Sequence, residues 1–207
     1  MKKLFSMCNV RCVTCPQDGF TLVETLVAIF ILALAIAALL TLTAGGYFSI
    51  RYSKNDIVAT NLLQESLEYI RNTRDTAAQQ PGQTWDGWFS TYSACDATNN
   101  SKASCIINPY AQSDSDHVKA CSGTNPLKGC TPLSYYADVG MYGYAPGDVH
   151  SSSPASPTSF VRYITMRTIT TKAGDPELLV TATIGWLNGT SPKSEQQSII
   201  LTKWNLP

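Results

Sequence analysis

Few side chains in this 207-residue chain stand where chemistry can use them. The most telling is one carboxylate, Glu24, at the edge of the apolar run GFTLVETLVAIFILALAIAALLTLTA, residues 19–44. A charge inside lipid costs on the order of 2–3 kcal/mol at a helix centre and less near an end, so this acid asks for a cationic partner. Four cysteines, Cys95, Cys105, Cys121 and Cys130, form an even set beyond the apolar run. Their spacing lacks the tight knuckles of a structural zinc site, and the chemistry they suggest is disulfide formation in an oxidising compartment. Cys12 and Cys15, with Cys8 nearby, make a C-x-x-C without a second pair or a histidine close by, too little for a metal or redox centre.

The remaining candidates are weaker. His117 and His150 fall in loop-type sequence, and neither belongs to a nucleophile elbow, a zinc-protease helix or a glycine-rich phosphate loop. Asp114, Asp116 and His117 form a small acidic cluster that Asp96 and Asp138 can join in space. Calcium is the ion such a group would take, but the EF-hand loop pattern is missing, and the cluster reads as an exposed polar loop. No catalytic residue, metal ligand or cofactor is assigned.

The element that positions Glu24 is a helix. Residues 25–44 are twenty in a row without a charge, and at about 1.5 Å each they span roughly 30 Å, one bilayer thickness. Lys2, Lys3 and Arg11 precede the run and favour a cytoplasmic start. A secretory signal would have a shorter apolar region followed by its cleavage site, whereas here a glycine precedes the run.

The order Gly19, Phe20, Thr21, Leu22, Val23, Glu24 resembles the processing and assembly signature of type IV prepilins and of the pseudopilins of type II secretion. The resemblance implies cleavage between Gly19 and Phe20 by a membrane-embedded prepilin peptidase, with N-methylation of Phe20. It implies that Glu24 meets the terminal amine of a neighbouring subunit during assembly on an inner-membrane platform. It also implies a pilin-like α+β fold, a long N-terminal helix packed on a C-terminal antiparallel sheet. Asp18 and the leader cysteines depart from the commonest family leader, and the proline often found within the apolar half is missing.

The rest of the chain divides by composition. Residues 1–19 are the leader, 20–46 the hydrophobic helix and 47–80 its amphipathic continuation. Residues 81–159 form a loop-rich region with short strands and the four cysteines, and 160–207 a sheet region. Gly45 and Gly46 cost helix stability by about 1 kcal/mol each and mark an expected hinge. Ala59, Leu63, Leu67 and Ile70 make a stripe that would pack on a sheet, while Glu65, Glu68, Arg71 and Asp75 read as a solvated face. The helix must stop at Gln80-Pro81-Gly82. Of the three cysteine pairings possible, the local ones, Cys95–Cys105 and Cys121–Cys130, are favoured because near neighbours meet more often. Tyr135, Tyr136, Met141, Tyr142 and Tyr144 supply one strand or an exposed aromatic patch, with core packing the favoured use, and residues 151–159, SSSPASPTS, read as an exposed loop. Three strands follow, at residues 160–171, 178–186 and 198–204. Turns lie at residues 172–176 and around Asn188-Gly189 and Pro192, giving an antiparallel meander.

The charge is balanced, 15 basic against 15 acidic side chains, and loss of the leader leaves 12 against 14. No basic surplus is available for nucleic acid. The expected function is therefore structural: a minor type IV pilin that sits in the cytoplasmic membrane as a single-pass precursor and then joins a filament for adhesion, motility or DNA uptake. A pseudopilin of type II secretion is the competing reading within the family. An anchored extracytoplasmic enzyme or binding protein is the competing reading outside it.

Overall fold

The computed structural model describes residues 19, 21–100, 103–111, 113, 116–122, 125–144, 149, 151–170 and 176–203. Lys2, Lys3, Cys8, Arg11, Cys12, Cys15 and Asp18 of the leader lie outside the described residues, as do Phe20, Asp114, His150, Trp204 and the turn at 171–175. The architecture is α+β, an N-terminal apolar helix followed by antiparallel sheets and two disulfides. The chain divides into two units, Met1–Ser49 and Ile50–Pro207.

Helix α1 runs Leu22–Gln79. It passes Gly45 and Gly46 without a break, since two glycines weaken a helix without ending it when strong formers flank them. In its apolar part the hydroxyls of Thr25, Thr41 and Thr43 donate to the carbonyls of Leu22, Ala38 and Leu40 at 2.8–2.9 Å. Such back-bonding lets a threonine sit in a lipid-facing helix with its hydroxyl satisfied.

In the second unit α1 buries Ala59, Leu62, Leu63, Leu67 and Ile70. These join one core with the inward residues of a five-stranded antiparallel sheet. Its strands are β1 (Cys105–Ile107), β2 (Val118–Ala120), β6 (Val161–Thr170), β7 (Pro176–Asn188) and β8 (Ser191–Leu201), ordered β2-β1-β6-β7-β8. Leu178, Val180, Ala182, Ile184 and Trp186 point inward from β7, and Ile164 and Met166 from β6. Each buried Leu, Ile, Val or Met among them contributes about 1.5–3 kcal/mol relative to exposure.

Four sequence expectations are corrected here. The sheet has five strands instead of three, because the loop-rich region donates β1 and β2. The last strand starts at Ser191 instead of residue 198, and Pro192 lies inside it, opposite Leu187. Proline is tolerated there because β8 is an edge strand. The turn is Gly189-Thr190, where Gly189 has φ 64°, the positive value that two-residue hairpin loops require. Residues 151–159 are more than a loop: β5 (Ser156–Pro157) pairs with β3 (Ser134–Tyr136), which also pairs with β4 (Met141–Gly143). The tyrosines thus serve two strands, with Tyr136 buried and the Tyr135 and Tyr142 rings 5.0 Å apart.

A short helix, α2 (Trp85–Ser90), is capped by Thr84, whose hydroxyl accepts from the Gly87 amide at 3.1 Å. It buries Trp85 and Trp88. Cys95 bonds to Cys105 at the start of β1, and Cys121 to Cys130, closing a loop that carries α3 (Pro126–Gly129). In that loop the Gly129 carbonyl accepts from the Ser122 amide at 3.0 Å, and a Cβ on Gly129 would lie 1.5 Å from the Ser122 carbonyl oxygen. Backbone cannot yield as a side chain does. Gly129→Ala is therefore expected to destabilise the domain by about 1–3 kcal/mol, measured by urea unfolding; an unchanged midpoint would contradict the close approach.

Strand β8 meets α1 through polar groups. Thr60 donates to Glu195 at 3.4 Å, Lys193 lies 5.7 Å from the Tyr52 ring centre, and a hydrogen-bonded pairing with Asp56 raises Glu195 above the usual carboxylate range. A raised carboxyl binds its proton more tightly in the folded state than in the unfolded one. Its contribution is complete below the unfolded pKa and is lost as pH rises through the folded value. Glu195→Gln, which keeps a donor facing Asp56, is expected to melt higher than the parent at about pH 7, with the gap closing towards about pH 4. Thermal melts across that range check it; a gap independent of pH would rule the pair out.

Candidate functional site

The first turn of α1 holds Glu24. Thr21 occupies the N-cap: its Oγ1 accepts from the Glu24 amide at 3.3 Å, and its carbonyl accepts from the Thr25 amide at 3.2 Å. Thr21 and Glu24 thus stand at the two positions of a T-x-x-E capping box. The carboxylate also lies at the positive end of the helix dipole. Among the described residues Glu24 takes part in no ion pair. Gly19 is exposed, with nothing within 4 Å of where a Cβ would stand.

Behind Glu24 the apolar helix is bare. Leu26, Phe30, Leu34 and Leu39 are each more than half exposed, and no part of the membrane-length window is buried. An apolar surface of this size is stable only in lipid or against other apolar helices.

A second charged centre lies in the other unit, and sequence reasoning missed it. Arg162 of β6 is 2% exposed. Its Nη1 donates to the Glu65 carboxylate at 2.7 Å and to the Leu62 carbonyl at 2.8 Å. Its Nη2 reaches the Ile107 carbonyl at 3.3 Å and its Nε the Tyr144 hydroxyl at 3.4 Å. The other Glu65 oxygen accepts from the Tyr110 hydroxyl at 2.6 Å. Burial, and then the carboxylate it donates to, push the Tyr110 phenol up to about 12. Glu65 is thus no member of a solvated face, although Glu68 and Arg71 do pair on the exposed side of α1. The signal was available: Arg162 occupies an inward position of a period-2 strand, and a buried guanidinium needs a carboxylate.

Among the described residues the acidic cluster does not assemble. Asp116 pairs with Lys119 at 3.0 Å, and Asp96 accepts from the Thr98 amide at 2.9 Å. Hydrogen bonds from Ser151 and Ser152 hold the Asp138 carboxyl down at about 2. Among the described residues no three metal-binding side chains group together. His117 Nδ1 sits 2.9 Å from the Asn108 carbonyl and 3.1 Å from the Tyr69 hydroxyl. Since the carbonyl can only accept, Nδ1 carries the proton.

An exposed apolar helix long enough to cross a membrane, with one acid in its first turn, precedes a disulfide-stapled α+β domain, the arrangement of a membrane-anchored precursor. Residues 15–40 match the family model of the prokaryotic N-terminal methylation motif, the type IV prepilin signature. No curated protein and no solved structure matches the chain. The signature supports a type IV pilin-like or pseudopilin-like precursor, a structural subunit in preference to an enzyme. It implies processing by prepilin peptidase and assembly with other pilins, and with the apolar helix it fits a membrane-anchored precursor.

Proposed function

We propose that the chain is a minor pilin of a type IV pilus. Cleavage between Gly19 and Phe20 and methylation of Phe20 free the helix to leave the cytoplasmic membrane and enter a fibre. Apolar burial between helices supplies most of the attraction there, and Glu24 sets register by meeting the amine of a neighbouring Phe20. The globular unit then lies on the surface of a filament outside the cytoplasmic membrane, serving adhesion, motility or DNA uptake. The observation that carries this reading is the methylation motif at residues 15–40, continuous with a helix whose apolar faces are exposed. The disulfide-stapled region between helix and sheet favours an accessory pilin over a pseudopilin of type II secretion.

Intact-mass analysis of sheared filaments tests it. The expected species begins at methylated Phe20 and gains mass on reduction of two disulfides. A chain that keeps its first nineteen residues, or one missing from filaments, would defeat the proposal. A retraction motor encoded beside the gene supports the pilus, and a secretion channel with its own pseudopilins supports the alternative.

A further inference from the structure

A cavity of about 610 Å³ opens where the end of α1, α2 and β2 meet. Its size is that of a small-molecule site, and its lining is unusual for this chain. It includes Tyr69, Thr73, Trp88, Tyr92 and His117, together with Gln80 and Gln83 at the rim, and among the described residues none that lines it is Asp, Glu, Lys or Arg. An ionic ligand would lose its water there and meet no opposite charge, which is costly. A neutral one bears no such penalty.

Three polar groups of the lining satisfy one another: the Thr73 hydroxyl donates to the Ile70 carbonyl at 2.9 Å, accepts from Trp88 Nε1 at 3.3 Å and sits 2.7 Å from the Tyr92 hydroxyl. Burial pushes the Tyr92 phenol up to about 12, so it stays neutral through the physiological range. On one wall the Tyr69 ring and the His117 imidazole lie 20° from parallel, with centres 6.3 Å apart. His117 Nδ1 is committed to Asn108 and Tyr69, which leaves Nε2 as the polar atom of the ring still available. At the rim, the exposed Gln80 and Gln83 bring primary amides, each able to donate and accept at once.

We infer that this cavity binds a neutral saccharide. A pyranose has an apolar C–H face that suits a flat aromatic wall, and a rim of hydroxyls that suits amide, imidazole and hydroxyl partners without net charge. The inference goes beyond subunit assembly and does not depend on it, since every residue used lies in the second unit.

The test uses the full-length chain in lipid nanodiscs and saturation-transfer NMR with lactose, maltose, cellobiose and mannobiose. Sialyllactose serves as the anionic counterpart and trialanine as a neutral peptide. Saturation of at least one neutral disaccharide is expected, with a dissociation constant on the order of millimolar. The exposed pair Gln80→Ala and Gln83→Ala should weaken it at least about tenfold with an unchanged melt. A second variant, Tyr69→Leu, should abolish the transfer by removing the ring wall. No binding by any of the four up to about 50 mM, preference for sialyllactose or trialanine, or binding indifferent to the glutamine pair would each overturn the inference.

Discussion

Glu65→Ala is expected to unfold the globular unit at a markedly lower urea concentration, with a loss of about 3–5 kcal/mol. The reason lies in what stays behind. Arg162 is 2% exposed and bonded to groups from α1, β1 and the segment after β4. Without the carboxylate it is a buried cation whose remaining acceptors are neutral. Against a typical domain stability of about 5–15 kcal/mol, such a loss is a large fraction of the whole. Glu65→Gln, which keeps the shape and one acceptor, should cost less. Replacing both partners by apolar residues, Glu65→Leu with Arg162→Met, should recover most of the loss, because an apolar pair of similar volume needs no desolvation of charge. Urea unfolding followed by tryptophan fluorescence measures all three. A midpoint for Glu65→Ala within error of the parent would show that solvent, and not Glu65, compensates the arginine.

The same network marks where sequence reading stopped. The apolar helix, the stripe Ala59, Leu63, Leu67 and Ile70, and the inward alternation of Leu178 to Trp186 were legible because burial imposes a period on the chain, 3.6 in a helix and 2 in a strand. Residues buried for another reason leave no period. Glu65 and Arg162 are 97 positions apart, and only the fold brings them together. Strands β1 and β2 are three residues each, too short to display an alternation, so a five-stranded sheet read as a three-stranded meander. Pro192 reads as a turn because proline cannot donate to a ladder, yet an edge position asks for no donor. At the helix start the T-x-x-E pattern of Thr21 and Glu24 carries the cap in the sequence itself.

That cap separates two roles for Glu24 that a single deletion would confuse. At the N3 position of a capping box, Glu24 needs only a side-chain acceptor, and glutamine serves as well as glutamate. As the partner of a protonated amine in an apolar bundle it needs its charge, which glutamine lacks. On the proposed function, Glu24→Leu and Glu24→Gln should both be cleaved after Gly19 and both fail to enter filaments. Breaking a buried pair costs roughly 3 kcal/mol or more, so incorporation should fall at least about a hundredfold. Thr21→Ala removes the cap and keeps the charge; it should cost the helix about 1 kcal/mol and leave incorporation within a few-fold of the parent. Quantifying each variant in sheared filaments against its membrane pool gives the ratio directly. If Glu24→Gln assembles as the parent does, the carboxylate is there to start a helix, and the register of the fibre is set elsewhere.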